Sequence, residues 1–201
     1  MSDRPLAEPE SPTGHEPAEE RVVGPALVIA TLMLQAALWW RAVHWYPRLP
    51  DRIPVHFDAS GAPDRWTERN AVEWFLLPGL SLGLLGLLLG IGLSLPWLAR
   101  HAPELISVPH KRRFLELPPR SRIAALAPTR TYMAWTAALL GAMFLWMVEG
   151  SARVATGAAS RLAVWPTLLV VGVILLSLIP YAIASRRRIE RMMPTGDQTT
   201  S

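Results

Sequence analysis

The chain has 201 residues, 51% of them hydrophobic, a formal net charge of +4 and no cysteine. The lack of cysteine excludes disulfides, thiolate metal sites and a cysteine nucleophile. Four apolar runs approach or exceed the ~20 residues needed to cross a bilayer core, which disfavours a soluble enzyme or a sequence-specific DNA-binding domain.

Residues 1–21 hold six acids and four prolines with almost no large apolar side chain, the composition of a disordered tail. A cleaved signal would start basic and carry a short apolar stretch, and this segment does neither. The first span is expected from Val22 to Tyr46. Gln35 inside it is polar and should face another helix. Its far end carries Trp39, Trp40, Trp45 and Tyr46 around Arg41 and His44, an aromatic belt with two titratable groups.

Residues 47–73 are the polar, motif-like part of the chain. Pro47, Pro50 and Pro54 rule out a helix, since each lacks an N–H and forces its predecessor toward extended geometry. Ile53 to Asp58 reads as a short extended run, Ala59 to Ala62 as a turn with Gly61 free to take positive φ, and Pro63 to Trp66 as a second extended piece. The expectation is a compact hairpin-like lid at the membrane surface. Strand periodicity puts His56 and Asp58 on one face, with Asp64 approaching across the turn. Those three are the weak candidates for a metal or proton-relay set. The plainer reading has Asp58 and Asp64 pinning the turn by Asx-type hydrogen bonds and His56 bonding backbone. Trp66 and Trp74 are expected at headgroup level.

The run Leu49-Pro-Asp-Arg-Ile-Pro-Val-His-Phe-Asp58, then Gly61, then Asp64-Arg65-Trp66 and Arg69, resembles the signature loop of a bacterial membrane-protein family. That family carries the uncharacterised N-terminal domain of the sporulation-delaying-protein immunity protein. The resemblance covers the first two spans and their loop, residues 22–99. It implies that Pro50, Ile53, Pro54, His56, Asp58, Gly61, Asp64, Trp66 and Arg69 form a ligand-binding or structural signature loop. In the immunity protein the domain is followed by further spans with their own motif, which is missing here after Thr131, so only the shared domain carries over.

The second span is expected over residues 74–99. Gly79, Gly83, Gly86 and Gly90 line one helix face and invite close approach by another helix, in the same molecule or a second copy. Residues 100–130 form a basic connection with seven Lys/Arg against two acids, cut by five prolines. One or two helical turns are expected between Lys111 and Leu117. They should lie flat on the membrane, with Phe114, Leu115 and Leu117 dipping in and Lys111, Arg112 and Arg113 on lipid phosphates. The third span is expected over 131–150. Arg41 is expected to snorkel to the interface or to pair with a carboxylate on another span, and Glu149, at the end of the third span and at the same boundary, is the candidate partner. The fourth is expected over 164–184, followed by a basic tail, 185–201, whose Arg186, Arg187 and Arg188 also meet lipid phosphate.

With both termini inside, the inner segments carry thirteen Lys/Arg and the two outer loops six. The positive-inside rule then makes the middle loop cytoplasmic and the signature loop extracytoplasmic. The fold expected is an all-α integral membrane protein, a four-transmembrane-helix bundle with a short hairpin-like extracytoplasmic loop, in the bacterial cytoplasmic (inner) membrane. No cofactor motif is present. Function is expected to be binding or sensing of an extracytoplasmic peptide or envelope component. The alternatives are an accessory subunit of a transporter or sensor complex, and a metal- or proton-dependent membrane enzyme. The expected partners are membrane lipid, a peptide or membrane-protein partner and further copies of the chain, with nucleic acid excluded.

Overall fold

The computed structural model describes residues 18–191, with side chains from Pro25 onward. The tail expected over 1–21 therefore lies mostly outside the described residues, and its last residues, from Ala18, are already helical. The elements in order are α1 (Ala18–Trp45), β1 (Arg52–Phe57), β2 (Pro63–Glu68), α2 (Ala71–His101), α3 (Lys111–Glu116), α4 (Pro119–Ala125), α5 (Ala127–Ala155) and α6 (Trp165–Arg191). Four helical segments are long and apolar enough to cross a membrane.

Local chemistry sets the boundaries. α1 stops where Pro47 and Pro50 begin, and the Arg48 guanidinium donates to the His44 carbonyl freed at its end. Asn70 caps α2, its Oδ1 accepting from the Glu73 N–H at 2.9 Å, with Glu73 itself at the positive end of the helix dipole. α5 ends at Thr156, whose hydroxyl donates to the Ala152 carbonyl, and Gly157 follows at φ +75°. Its start and end lie beyond the expected 131–150: Pro128 stands in the first turn, where its missing N–H is tolerated, and no Gly or Pro interrupts Ser151 to Ala155.

α5 is the central helix, packing against α1, α2 and α6. Its small residues make this possible: Ala134, Ala137, Ala138 and Gly141 are all buried. A Cβ on Gly141 would lie 3.3 Å from Leu85 Cδ2 and 3.4 Å from Leu34 Cβ. This is small-residue packing of the membrane kind, and it sits on α5. The stripe expected to do that work, Gly79, Gly83, Gly86 and Gly90, has nothing within 4 Å of any built Cβ among the described residues. It faces outward with Leu76, Leu80 and Leu87. Of the two kinds of neighbour the spacing allows, the described chain supplies none at this stripe, because α1 and α5 occupy the opposite face of α2.

Two apolar clusters hold the ends of the bundle. One joins Leu38, Leu49, Ile53, Trp74, Phe144 and Val148 near the strands. The other joins Leu95, Ile106, Phe114, Leu117, Leu126 and Ile189 at the opposite end. One expectation changes here. Phe114 is fully buried and Leu117 nearly so, so they plug the bundle end and do not dip into lipid. Trp74 is likewise buried, its indole N–H donating to the Ala42 carbonyl at 2.9 Å. Midway, Gln35 meets another helix as expected, accepting from Ser81 Oγ at 3.0 Å. α6 is peripheral, held to α5 by stacked Tyr132 and Tyr181 with ring centroids 4.6 Å apart. Its apolar window is unburied, as lipid contact allows. It runs on through Arg186, Arg187 and Arg188, which are helical residues here.

Candidate functional site

The signature residues gather at the end of the bundle where α1 and α2 are joined. β1 and β2 pair antiparallel, Arg52 opposite Glu68 and Pro54 opposite Trp66. The register then slips twice. His56 faces Arg65 and Phe57 faces Pro63, leaving Val55 extra on one strand and Asp64 extra on the other. Burial does not alternate along β1 either: Ile53 and Pro54, in the regular part of the ladder, are both buried, one after the other. β1 packs toward α5, and β2 is the outer strand, with Asp64, Arg65, Trp66 and Glu68 exposed.

The turn is organised by Asp58. Its Oδ1 accepts from the Ser60 N–H at 2.8 Å, the Ser60 hydroxyl at 2.7 Å and the Ala62 N–H at 3.0 Å. Those bonds, the Ser60 hydroxyl first, hold the carboxyl below the usual aspartate range. Asp58 is thus the turn pin of the plainer reading. Asp64 is not. It accepts from His56 Nδ1 at 2.6 Å, which fixes that nitrogen as the protonated one. Both partners are about half exposed, so the pair adds little to stability. Among the described residues no group of three or more His, Cys, Asp or Glu is placed to hold a metal. The turn takes Asp58 for itself and leaves His56 and Asp64 as a two-residue pair.

Gly61 is where the hairpin meets the rest of the molecule. It is buried at φ +79°, and its carbonyl accepts from the Leu162 N–H at 2.8 Å. A Cβ there would lie 1.9 Å from the Leu162 carbonyl oxygen. Glycine is needed twice over, for the left-handed backbone and for the contact. Leu162 also presses its side chain on Gly150 of α5. Arg69 ties the other end of the loop, its N–H donating to the Asp51 carbonyl and its Nη1 to the Leu49 carbonyl, both at 2.7 Å. Pro50 is exposed beside this tie.

Beneath the hairpin, α1 and α5 meet through charge. Arg41 Nε donates to Glu149 Oε2 at 2.9 Å and its Nη2 donates to the same oxygen, so the expected pair is present. Two further donors complete the carboxylate: Trp45 Nε1 at 2.9 Å and, to Oε1, Arg153 Nε at 3.0 Å. The Arg41 guanidinium lies 5.4 Å from the Trp45 ring centroid. His44 is stacked on Trp40. Arg153 was legible in principle as the i+4 neighbour of Glu149. Leu162 was not, because nothing in a short polar connection announces which backbone carbonyl a distant glycine will touch.

A bundle of four membrane-crossing helices capped at one end by a two-stranded hairpin defines a multi-pass membrane protein. Residues 27–82, which contain the hairpin, most of α1 and the first part of α2, match the family described as Domain of unknown function (DUF1648). An uncharacterized protein of Archaeoglobus fulgidus is 39% identical over 57 residues, 28% of this chain. The match spans 30% of that relative's length. No solved structure matches the chain.

Proposed function

We propose that the protein recognises an extracytoplasmic peptide or other envelope component on the outer face of its hairpin. In this reading it sits in the bacterial cytoplasmic membrane with both termini inside. The observation that carries it is the contrast between the strands. β1 is fixed against the bundle, while β2 has an unpaired outer edge and exposed side chains. An exposed strand edge pairs readily with an added extended segment. Beside it Asp51, Arg52, Trp66, Thr67, Glu68 and Arg69 line a polar groove with both signs of charge and one exposed aromatic ring. The resemblance to the immunity-type family supports a peptide acting at the envelope as the ligand class.

A photo-crosslinking residue at Thr67 in intact cells is expected to give adducts of peptide mass, lost with Trp66→Ala in the same chain. The same residue at Leu76, on the outer side of α2, should give none. Identical adducts at both positions would overturn the reading.

A second reading rests on the open face of α2. Gly79, Gly83, Gly86 and Gly90 lie there uncovered by the described chain, as an accessory subunit or a self-associating protein would present them. A monomer in mild detergent with no co-purifying membrane protein would count against it.

A further inference from the structure

At the end of the bundle away from the hairpin, a cavity of about 620 Å³ opens between α1, α2, α4, α5 and α6. That volume lies within the roughly 300–1,000 Å³ of ligand pockets. Its walls divide by chemistry. Val28, Leu89 and Met133 line an apolar part, and Gly92 keeps the α2 wall flat there, with Met133 Cβ 3.7 Å from where its own Cβ would stand. Arg120, Arg130 and Arg188 line the rest. Arg120, Ala124, Ala127, Thr131 and Ala134 follow a spacing of four, three, four and three along α4 and α5, which brings one face of that helical stretch onto the cavity.

Arg120 and Arg130, two guanidiniums on one cavity, repel one another unless an anion sits between them. Arg120 and Arg130 are exposed and have no acidic partner among the described residues. Arginine is the side chain suited to phosphate, through its planar fork of donors. Apolar walls built from membrane-crossing helices suit an acyl chain, and a free inorganic anion would gain nothing from them. We propose that this cavity binds one anionic phospholipid, its phosphate on Arg120 and Arg130 and an acyl chain along Val28, Leu89 and Met133. The site is separate from the hairpin and from the surface cluster at Lys111, Arg112 and Arg113.

The test is native mass spectrometry of the full chain, delipidated in mild detergent and titrated with phosphatidylglycerol or phosphatidylcholine. One phosphatidylglycerol should be retained at least tenfold more tightly than phosphatidylcholine. The double variant Arg120→Gln, Arg130→Gln should erase that preference. Gly92→Phe should weaken both lipids by filling the apolar part. Should Gly92→Phe fail to fold, the arginine variant still decides, since both side chains are exposed. Equal retention of the two lipids would overturn the proposal, as would an unchanged preference in the arginine variant. Full displacement by millimolar inorganic phosphate would reduce the site to an ion site and also overturn it.

Discussion

Two independent demands meet on Gly61, a positive φ and a close backbone contact. A left-handed backbone costs a non-glycine residue roughly 1–2 kcal/mol. The Leu162 carbonyl oxygen, 1.9 Å from where a Cβ would stand, is backbone and cannot swing away. Gly61→Ala should therefore release the hairpin from the α5–α6 connection and cost at least about 2 kcal/mol. Thermal unfolding in detergent would register the loss, and proteolysis within residues 58–64 would locate it; an unchanged melting temperature would mean that the contact is dispensable. Arg41 and Glu149 form the second pivot, and they are not a closed pair. Arg41→Glu alone should cost about 2 kcal/mol by setting two partly buried carboxylates together. Exchanging both, Arg41→Glu with Glu149→Arg, should restore only part of this, because Arg153 then faces a like charge four residues back on the same helix. Adding Arg153→Glu should recover more. No gain in the double variant over either single one would remove the pairing from the account of stability.

At the level of elements, the proline spacing and Gly61 explain why residues 52–57 and 63–68 are extended with a turn between them, and the apolar runs explain four membrane-length helices. What pattern alone did not disclose is which helix lies in the middle. Glycine is conspicuous, so α2 reads as the packing helix. Alanine is an ordinary helix former, so the stripe from Ala134 to Gly141 on α5 reads as nothing special. The structure resolves the contest through neighbours. Gly141→Val should force Leu85 and Leu34 apart and lower the melting temperature by several degrees, while Gly83→Ala and Gly86→Ala should leave it unchanged or slightly raised. A large loss from Gly83→Ala would show that α2 has a partner on its open face. Phe114 departs from expectation for a related reason. An aromatic ring beside charged residues has the same sequence signature at a headgroup as in a plug at the end of a bundle. The candidate site was legible to the same extent: Asp58, Gly61 and Arg69 each turn out to hold the hairpin, but their partners Ser60, Leu162 and Leu49 are chosen by tertiary geometry.

For the molecule as a whole, the two ends of the bundle differ in kind. One is capped by a hairpin with nearly balanced charge and bears the open strand edge. The other gathers Lys111, Arg112, Arg113, Arg120, Arg122, Arg130 and the arginines of α6 around a plugged apolar cluster. Positive charge held on one side of a multi-pass protein orients it, because Lys and Arg are retained on the cytoplasmic side during insertion. Anionic lipid on that leaflet then adds about 1 kcal/mol for each basic residue near the surface. The asymmetry predicts that the hairpin faces out, and a chain without cysteine makes this easy to measure. Ala59→Cys, at the exposed turn, should react with a membrane-impermeant maleimide in intact cells. Ser107→Cys, exposed at the opposite end between α2 and α3, should react only after the membrane is opened. The reverse labelling would place the strand edge in the cytoplasm. A peptide from outside could then not reach Trp66, and the recognition proposed for the hairpin would fall. The phospholipid cavity would survive in that case only if the leaflet it faces were also rich in anionic lipid, since its arginines distinguish headgroups by charge.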